Sequence, residues 1–175
     1  LQDILRRLQK EGKVQNFGIA TRGAAAPLAA METDFFSTIQ TAYSILDQRM
    51  SPEVLPRAIE SKTSIINRSV LLKGALTSAV WKLPPQLDQL KENSTRAASI
   101  AKELKHDLPS LAIRFSASNP AISTILIGTT EPRHLRIAIE AVGKGPLEQR
   151  TIQQLELLAI NNEKLIDPAN WPAIT

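Results

Sequence analysis

Four short apolar runs, each closing on a polar or small residue, most constrain what this chain can fold into. Val14–Ala20, Phe36–Gln40, Ser64–Arg68 and Ser123–Ile127 have strand length and hold β-branched or aromatic side chains. Between them lie segments with apolar residues at helical spacing: 1–10, 24–31, 51–60, 87–104, 108–118, 132–142 and 148–165. Proline punctuates them. Pro27, Pro52 and Pro109 stand near helix starts, with Ser51 expected as a cap for the 51–60 helix, while Asn119-Pro120 stops a helix. Strands alternating with helices predict an α/β fold with a parallel sheet. In such sheets ligands sit beyond the carboxyl ends of the strands.

The bulk numbers narrow the classes. At 43% hydrophobic residues, the 175-residue chain can build one core. The net charge of +4 is spread out, basic residues never exceed a pair in sequence, and aromatic content is 4%, which argues against nucleic acid as a partner. With no cysteine, neither a disulfide framework nor a thiolate metal site is expected. No apolar run approaches membrane-spanning length, so a membrane is not an expected partner and a cytoplasmic location is the default. The chain opens directly on a helical pattern, with apolar residues at 1, 4, 5 and 8, as a fragment would.

The stretch Ser123–Leu135, STILIGTTEPRHL, runs from apolar strand through a glycine and two threonines into a helix start. Such a junction can hold a phosphate: glycine permits close backbone approach, and a helix N-terminus offers donors.

Four passages in order give the chain a family likeness. Lys10–Ala20, Ile39–Leu46, Ile66–Leu76 and Leu108–Leu135 resemble the C-terminal half of the aldo-keto reductases. The likeness implies the second half of a (β/α)8 TIM barrel, its fifth to eighth β/α units: four parallel strands with outer helices, residues 1–175 forming a single partial domain. It implies hydride transfer between a nicotinamide cofactor, NADP, and a small carbonyl substrate. The family's Asp, Tyr, Lys and His catalytic set lies on the first four strands, so no catalytic residue is assigned here, and this chain alone is expected to be inactive.

Cofactor residues transfer one by one. Thr21, following Ala20 where the family has Ser-Asn, and Gln40 are expected at the nicotinamide carboxamide. Arg68, Ser69, Leu71 and Gly74 are expected at the pyrophosphate, through the guanidinium and backbone amides. Gly128, Thr129 and Thr130 resemble the loop for the 2′-phosphate, with Arg133 and His134 adding charge. Ile137 and Ala138 stand where the family commonly has Glu-Asn, which weakens the expected binding.

Two functional readings follow. One is the cofactor-holding half of an NADP-dependent reductase. The alternative is a non-catalytic, degenerate half-barrel acting as an interaction or assembly module. Half a barrel leaves its first and fourth strands unpaired and inward residues such as Phe17, Ile19 and Ile66 half covered. The missing N-terminal half or a second copy is therefore the expected partner. Tyr43 reads as a packing residue and His106 as a solvated residue at a helix end. Trp81 and Trp171 are the candidate pocket walls.

Overall fold

A computed structural model of the chain describes residues 2–172. Its elements run α1 (Gln2–Lys10), β1 (Gly18–Ala20), α2 (Ala25–Glu32), β2 (Thr38–Ala42), α3 (Val54–Glu60) and β3 (Ser64–Arg68). Three short 3₁₀ turns follow, at Leu72–Gly74, Ser78–Lys82 and Pro85–Leu87. Then come α4 (Asp88–Glu103), α5 (Leu108–Ala117), β4 (Ile122–Ile125), α6 (Pro132–Gly143), α7 (Gln149–Glu156) and α8 (Glu163–Ile166). The four strands form one sheet in the order β1-β2-β3-β4, and every pairing is parallel.

The period-two alternation of the strands decides which face is covered. Ile39, Thr41, Ile65 and Asn67 are buried beneath the helices, and Ile19 lies in register with Ile39 on that same side. Thr38, Gln40, Ser64, Ile66 and Arg68 point to the opposite, partly open face. Of the three residues expected to be inward and half covered, only Ile66 is on the open face. Ile19 packs on the helix-side core, and the Phe17 ring stacks on Phe35 at 5.4 Å.

In β4 two apolar residues, Ile122 and Ile125, stand three apart, a spacing that a regular strand sends to opposite faces. A bulge resolves this. Ile122 pairs with Ile65 and Thr124 with Ile66, so Ser123 is the extra residue, and Ile125 returns to the helix side opposite Asn67.

Several expected boundaries are corrected. The first strand covers Gly18–Ala20 rather than 14–20, with Ser37 N–H donating to the Phe17 carbonyl at 3.0 Å just ahead of its ladder. The fourth ends at Ile125, after which one more bond, Leu126 N–H to the Asn67 carbonyl at 2.8 Å, precedes the departing loop. The helix expected at 51–60 begins at Val54, and Ser51 does not cap it. Residues 48–55 instead form turns closed by Ser51 N–H to Gln48 and Leu55 N–H to Met50, both 2.9 Å. The helix expected over 148–165 breaks after Glu156. There Ile160 N–H donates to the Leu46 carbonyl at 3.0 Å, and the Asn93 side chain donates to the Leu158 carbonyl at 2.9 Å. These tertiary bonds replace the helix's own. Asn162 then caps the short α8 through Lys164 N–H.

Candidate functional site

The expected site residues fall into two groups beyond the carboxyl ends of the strands. The first joins β1, β2 and β3. Gln40 lies on the open face beside Ile66, and its side chain has no hydrogen-bond partner among the described residues. Arg68 donates from Nη2 to the Thr21 carbonyl at 3.1 Å and from Nη1 to Ser69 Oγ at 3.3 Å. Thr21 departs from expectation. Its side chain is buried, and both its N–H and its hydroxyl donate to the Gln40 carbonyl, at 2.9 and 3.1 Å. The hydrogen of that hydroxyl anchors the strand end, which leaves its lone pairs, and no donor, to meet a carboxamide.

The second group is built by two loops. After β3 the backbone enters the left-handed region at Ser69 (φ 62°), Leu72 (φ 43°) and Lys73 (φ 50°), and again at Gly74 (φ 91°). Such a run is uncommon for side-chain-bearing residues and marks a loop held in place by its surroundings. Gly74 is the position where glycine matters most, since its φ is one that side chains rarely adopt. The amide of Gly74 departs from its expected pyrophosphate role, because it already donates to the Leu71 carbonyl at 3.0 Å. The amides of Ser69 and Leu71 have no such bond among the described residues.

The loop after β4 carries Gly128, Thr129 and Thr130 into α6, with Pro132 at its first turn. The backbone N–H groups of all three have no partner among the described residues. The Thr129 hydroxyl accepts from Glu131 N–H at 3.0 Å and lies 3.0 Å from His134 Nδ1. Glu131 also places a carboxylate 3.9 Å from Arg133. Leu71, Gly128, Thr129, Arg133 and His134 line one cavity of about 770 Å³ between the starts of α5 and α6, with Ile137 in its wall. Ser69, Leu71, Gly74, Gly128 and His134 line an adjoining recess of about 380 Å³. Thr130 is exposed and lines neither. Ala138 is buried under α6, away from the cavity.

Residues outside these groups found other work. Tyr43 is a core residue, 3% exposed and stacked on Phe115 at 5.4 Å, and burial pushes its phenol pKa up. His106 is not simply solvated: its Nε2 lies 2.8 Å from Arg114 Nη1, and Arg114 also holds the carbonyls of Gly145 and Pro146 at 3.1 Å each. Trp171 packs over Lys73, with its indole N–H on the Leu165 carbonyl at 2.6 Å. Trp81 is 69% exposed and stands at the rim of the large cavity.

Sequence reading missed the pair Asp47–Arg49. Asp47 is fully buried, and its two carboxylate oxygens accept from Arg49 Nε and Nη2, both at 2.9 Å. This contact raises the Arg49 pKa further above its ordinary value. Arg49 reaches on to Glu163 at 3.3 Å, tying the C-terminal segment to the loop after β2. The signal was an acid two residues before a base, common on any surface, and only burial distinguishes it. Among the described residues no group of three or more potential ligands could hold a metal ion, and no helix is long and apolar enough to cross a membrane.

A sheet of four parallel strands with helices on one face defines an α/β protein of the β/α-barrel type. The family model for the Aldo/keto reductase family matches residues 1–160, and the chain belongs to that family. It is 27% identical over 139 residues to the D-threo-aldose 1-dehydrogenase of Pseudomonas sp., covering 75% of this chain and 42% of that protein. It is 24% identical over 153 residues to the NADH-specific methylglyoxal reductase of Escherichia coli K12, covering 79% and 47%. The chain thus spans less than half the length of these relatives. The holo form of aldo-keto reductase AKR11C1 from Bacillus halodurans superimposes with a TM-score of 0.75 at 21% identity, over 94% of this chain and 58% of that one. The glycerol dehydrogenase AKR11B4 from Gluconobacter oxydans gives 0.72 at 14% identity, over 88% and 51%. At these identities the structural matches speak to the fold.

Proposed function

We propose that this chain is the second half of an aldo-keto reductase barrel and holds the phosphate and adenosine end of NADP. The observation that carries this reading is the cavity of about 770 Å³, where the unpartnered amides of Gly128 and Thr129 meet Arg133 and His134 beside an apolar wall. These residues fit a nucleotide phosphate: amides at a helix start and a guanidinium favour an anion. Arg68, with the Ser69 and Leu71 amides, serves the pyrophosphate, and the free Gln40 side chain the carboxamide. The nicotinamide supplies the hydride when bound. This chain's residues orient it, while the proton donor for the carbonyl oxygen comes from the other half of the barrel. Thr130 adds a further backbone amide without a partner among the described residues, and Gly74 contributes backbone shape. The partner is that other half-barrel, with a second copy as the alternative occupant of the open face.

Arg133 and His134 are what favour the 2′-phosphate here. The reading of a non-catalytic assembly module draws on Glu131, an acid at the mouth of the same loop. Calorimetric titration of the chain with 2′,5′-ADP and with 5′-AMP separates the two. Tighter binding of the bisphosphate, weakened by Arg133→Ala, supports the reductase half; no binding of either favours the module.

A further inference from the structure

We infer that the cavity reads the nucleotide base by stacking on Trp81 and not by its hydrogen-bonding edge, so that cofactor selection rests on the phosphate alone. This rests on the nucleotide reading above. The argument is an inventory of the polar side chains that line the cavity. The Ser94 hydroxyl donates to the Ala75 carbonyl at 2.6 Å, and the Thr95 hydroxyl to the Lys91 carbonyl at 2.8 Å. The Thr77 hydroxyl donates to the Gly74 carbonyl at 2.8 Å and accepts from Ala79 N–H at 3.0 Å. Both carboxylate oxygens of Asp107 are taken by Ser110, at 2.8 Å from its N–H and 2.7 Å from its hydroxyl, as the cap of α5. The Thr129 hydroxyl is engaged with Glu131 and His134.

What remains uncommitted is grouped. Arg133, 3.9 Å from the Glu131 carboxylate, lies at one end with the Nε2 atom of His134 and the loop amides. Elsewhere the wall is apolar, with Leu71, Val80, Ile113, Ile127 and Ile137. Among the lining side chains, the exposed Ser78 hydroxyl and the Trp81 indole N–H are the donors left to meet a base edge. A site that discriminates a base by its edge needs buried polar partners that go unsatisfied with the wrong base. In this cavity the hydrogens of the Ser94, Thr95 and Thr77 hydroxyls are already given to backbone carbonyls, so these side chains have no donor to offer a base edge.

Trp81 supplies the complementary element. Its indole stands between the cavity and an outer groove of about 590 Å³ lined by Asp88, Lys91 and Arg96. Stacking on an aromatic face is tolerant of base identity, since every base has a π-face. A flat ring between Trp81 and the Ile137 side, with its phosphate on Arg133, satisfies both ends of the cavity.

The test is calorimetry on the chain with 2′,5′-ADP and inosine 2′,5′-bisphosphate, whose six-position edges are opposite in hydrogen-bonding sense. The expected result is affinities within about threefold of each other. Trp81→Ala is expected to weaken both by about tenfold, the low-to-middle range for loss of one base stack, while Trp81→Phe retains most of the binding. If 2′,5′-ADP binds but is preferred more than tenfold over the inosine compound, or is unmoved by Trp81→Ala, base stacking without edge reading is overturned and the nucleotide site stands. If neither compound binds, the nucleotide site fails, and this inference fails with it.

Discussion

The guanidinium of Arg68 donates to the carbonyl of Thr21 at 3.1 Å, reaching across the end of β2 to join the ends of β3 and β1. One side chain thus fixes the spacing of three strand ends and leaves a cation beside the open face. Arg68→Ala removes both. We expect a loss of about 1 kcal/mol, the lower part of the range for hydrogen bonds to charged groups because Arg68 is only half buried. Arg68→Lys is expected to restore little, since an ammonium lacks the planar fork. Urea titrations of the two variants check this.

Asp47 is the most consequential charged residue in the fold. Asp47→Ala leaves the largely buried Arg49 facing only Glu163 across 3.3 Å. The expected cost is about 3 kcal/mol, the lower end for breaking a buried pair. Glu163→Gln is expected to change stability by less than about 0.5 kcal/mol, because Glu163 is 72% exposed. Thermal denaturation of both variants tests the contrast.

His106 makes stability depend on acid. A guanidinium can only donate, so His106 Nε2 accepts from Arg114 and the bonded ring is neutral. Burial, then Lys144 and Arg114, lower the folded-state pKa below 6.5, with Asp107 opposing. The unfolded chain therefore takes up the proton first as pH falls. Stability is level above about pH 6.5 and declines below it. His106→Gln is expected to flatten this part of the profile. Unchanged curvature between pH 5 and 6.5 would exclude the histidine as its source.

Gly18 is where β1 and β2 approach most closely. A Cβ there would run into the Thr38 hydroxyl and come within 3.1 Å of the Thr38 carbonyl. Gly18→Ala is expected to cost about 2 kcal/mol, as for other overpacked sites. Adding Thr38→Ala removes the worse of the two contacts and is expected to recover part of the loss in chemical denaturation.

The open face predicts behaviour in solution. Among the described residues β1 and β4 have no outer neighbours in the sheet, and the half-buried Ile66 and the exposed Thr124 and Leu126 lie on its open side. Unpaired edges invite pairing. We expect light scattering of the chain by itself to give a species larger than one chain. Monodisperse monomer with cooperative melting would show that the half-sheet is self-sufficient.

Local pattern in the sequence determined the elements and their order. Apolar runs of strand length, helix-spaced segments and proline positions gave four strands and the parallel α/β class, because these signals depend on near neighbours. The loop that leads from β4 into α6 was visible for the same reason: Gly128, Thr129, Thr130 and Pro132 are consecutive or nearly so. Tertiary structure alone decided what distant segments settle between them. It ended the last helix at Glu156 by offering its successors the Leu46 carbonyl and the Asn93 side chain. It turned the hydrogen of the Thr21 hydroxyl onto the Gln40 carbonyl. It also buried Asp47 against Arg49, a pair that in sequence looks like any solvated acid and base. A side chain's partners depend on which neighbours the fold brings within about 3 Å. For Trp81, that fold placed an exposed indole at the rim of a cavity walled by Leu71, Val80, Ile113 and Ile137.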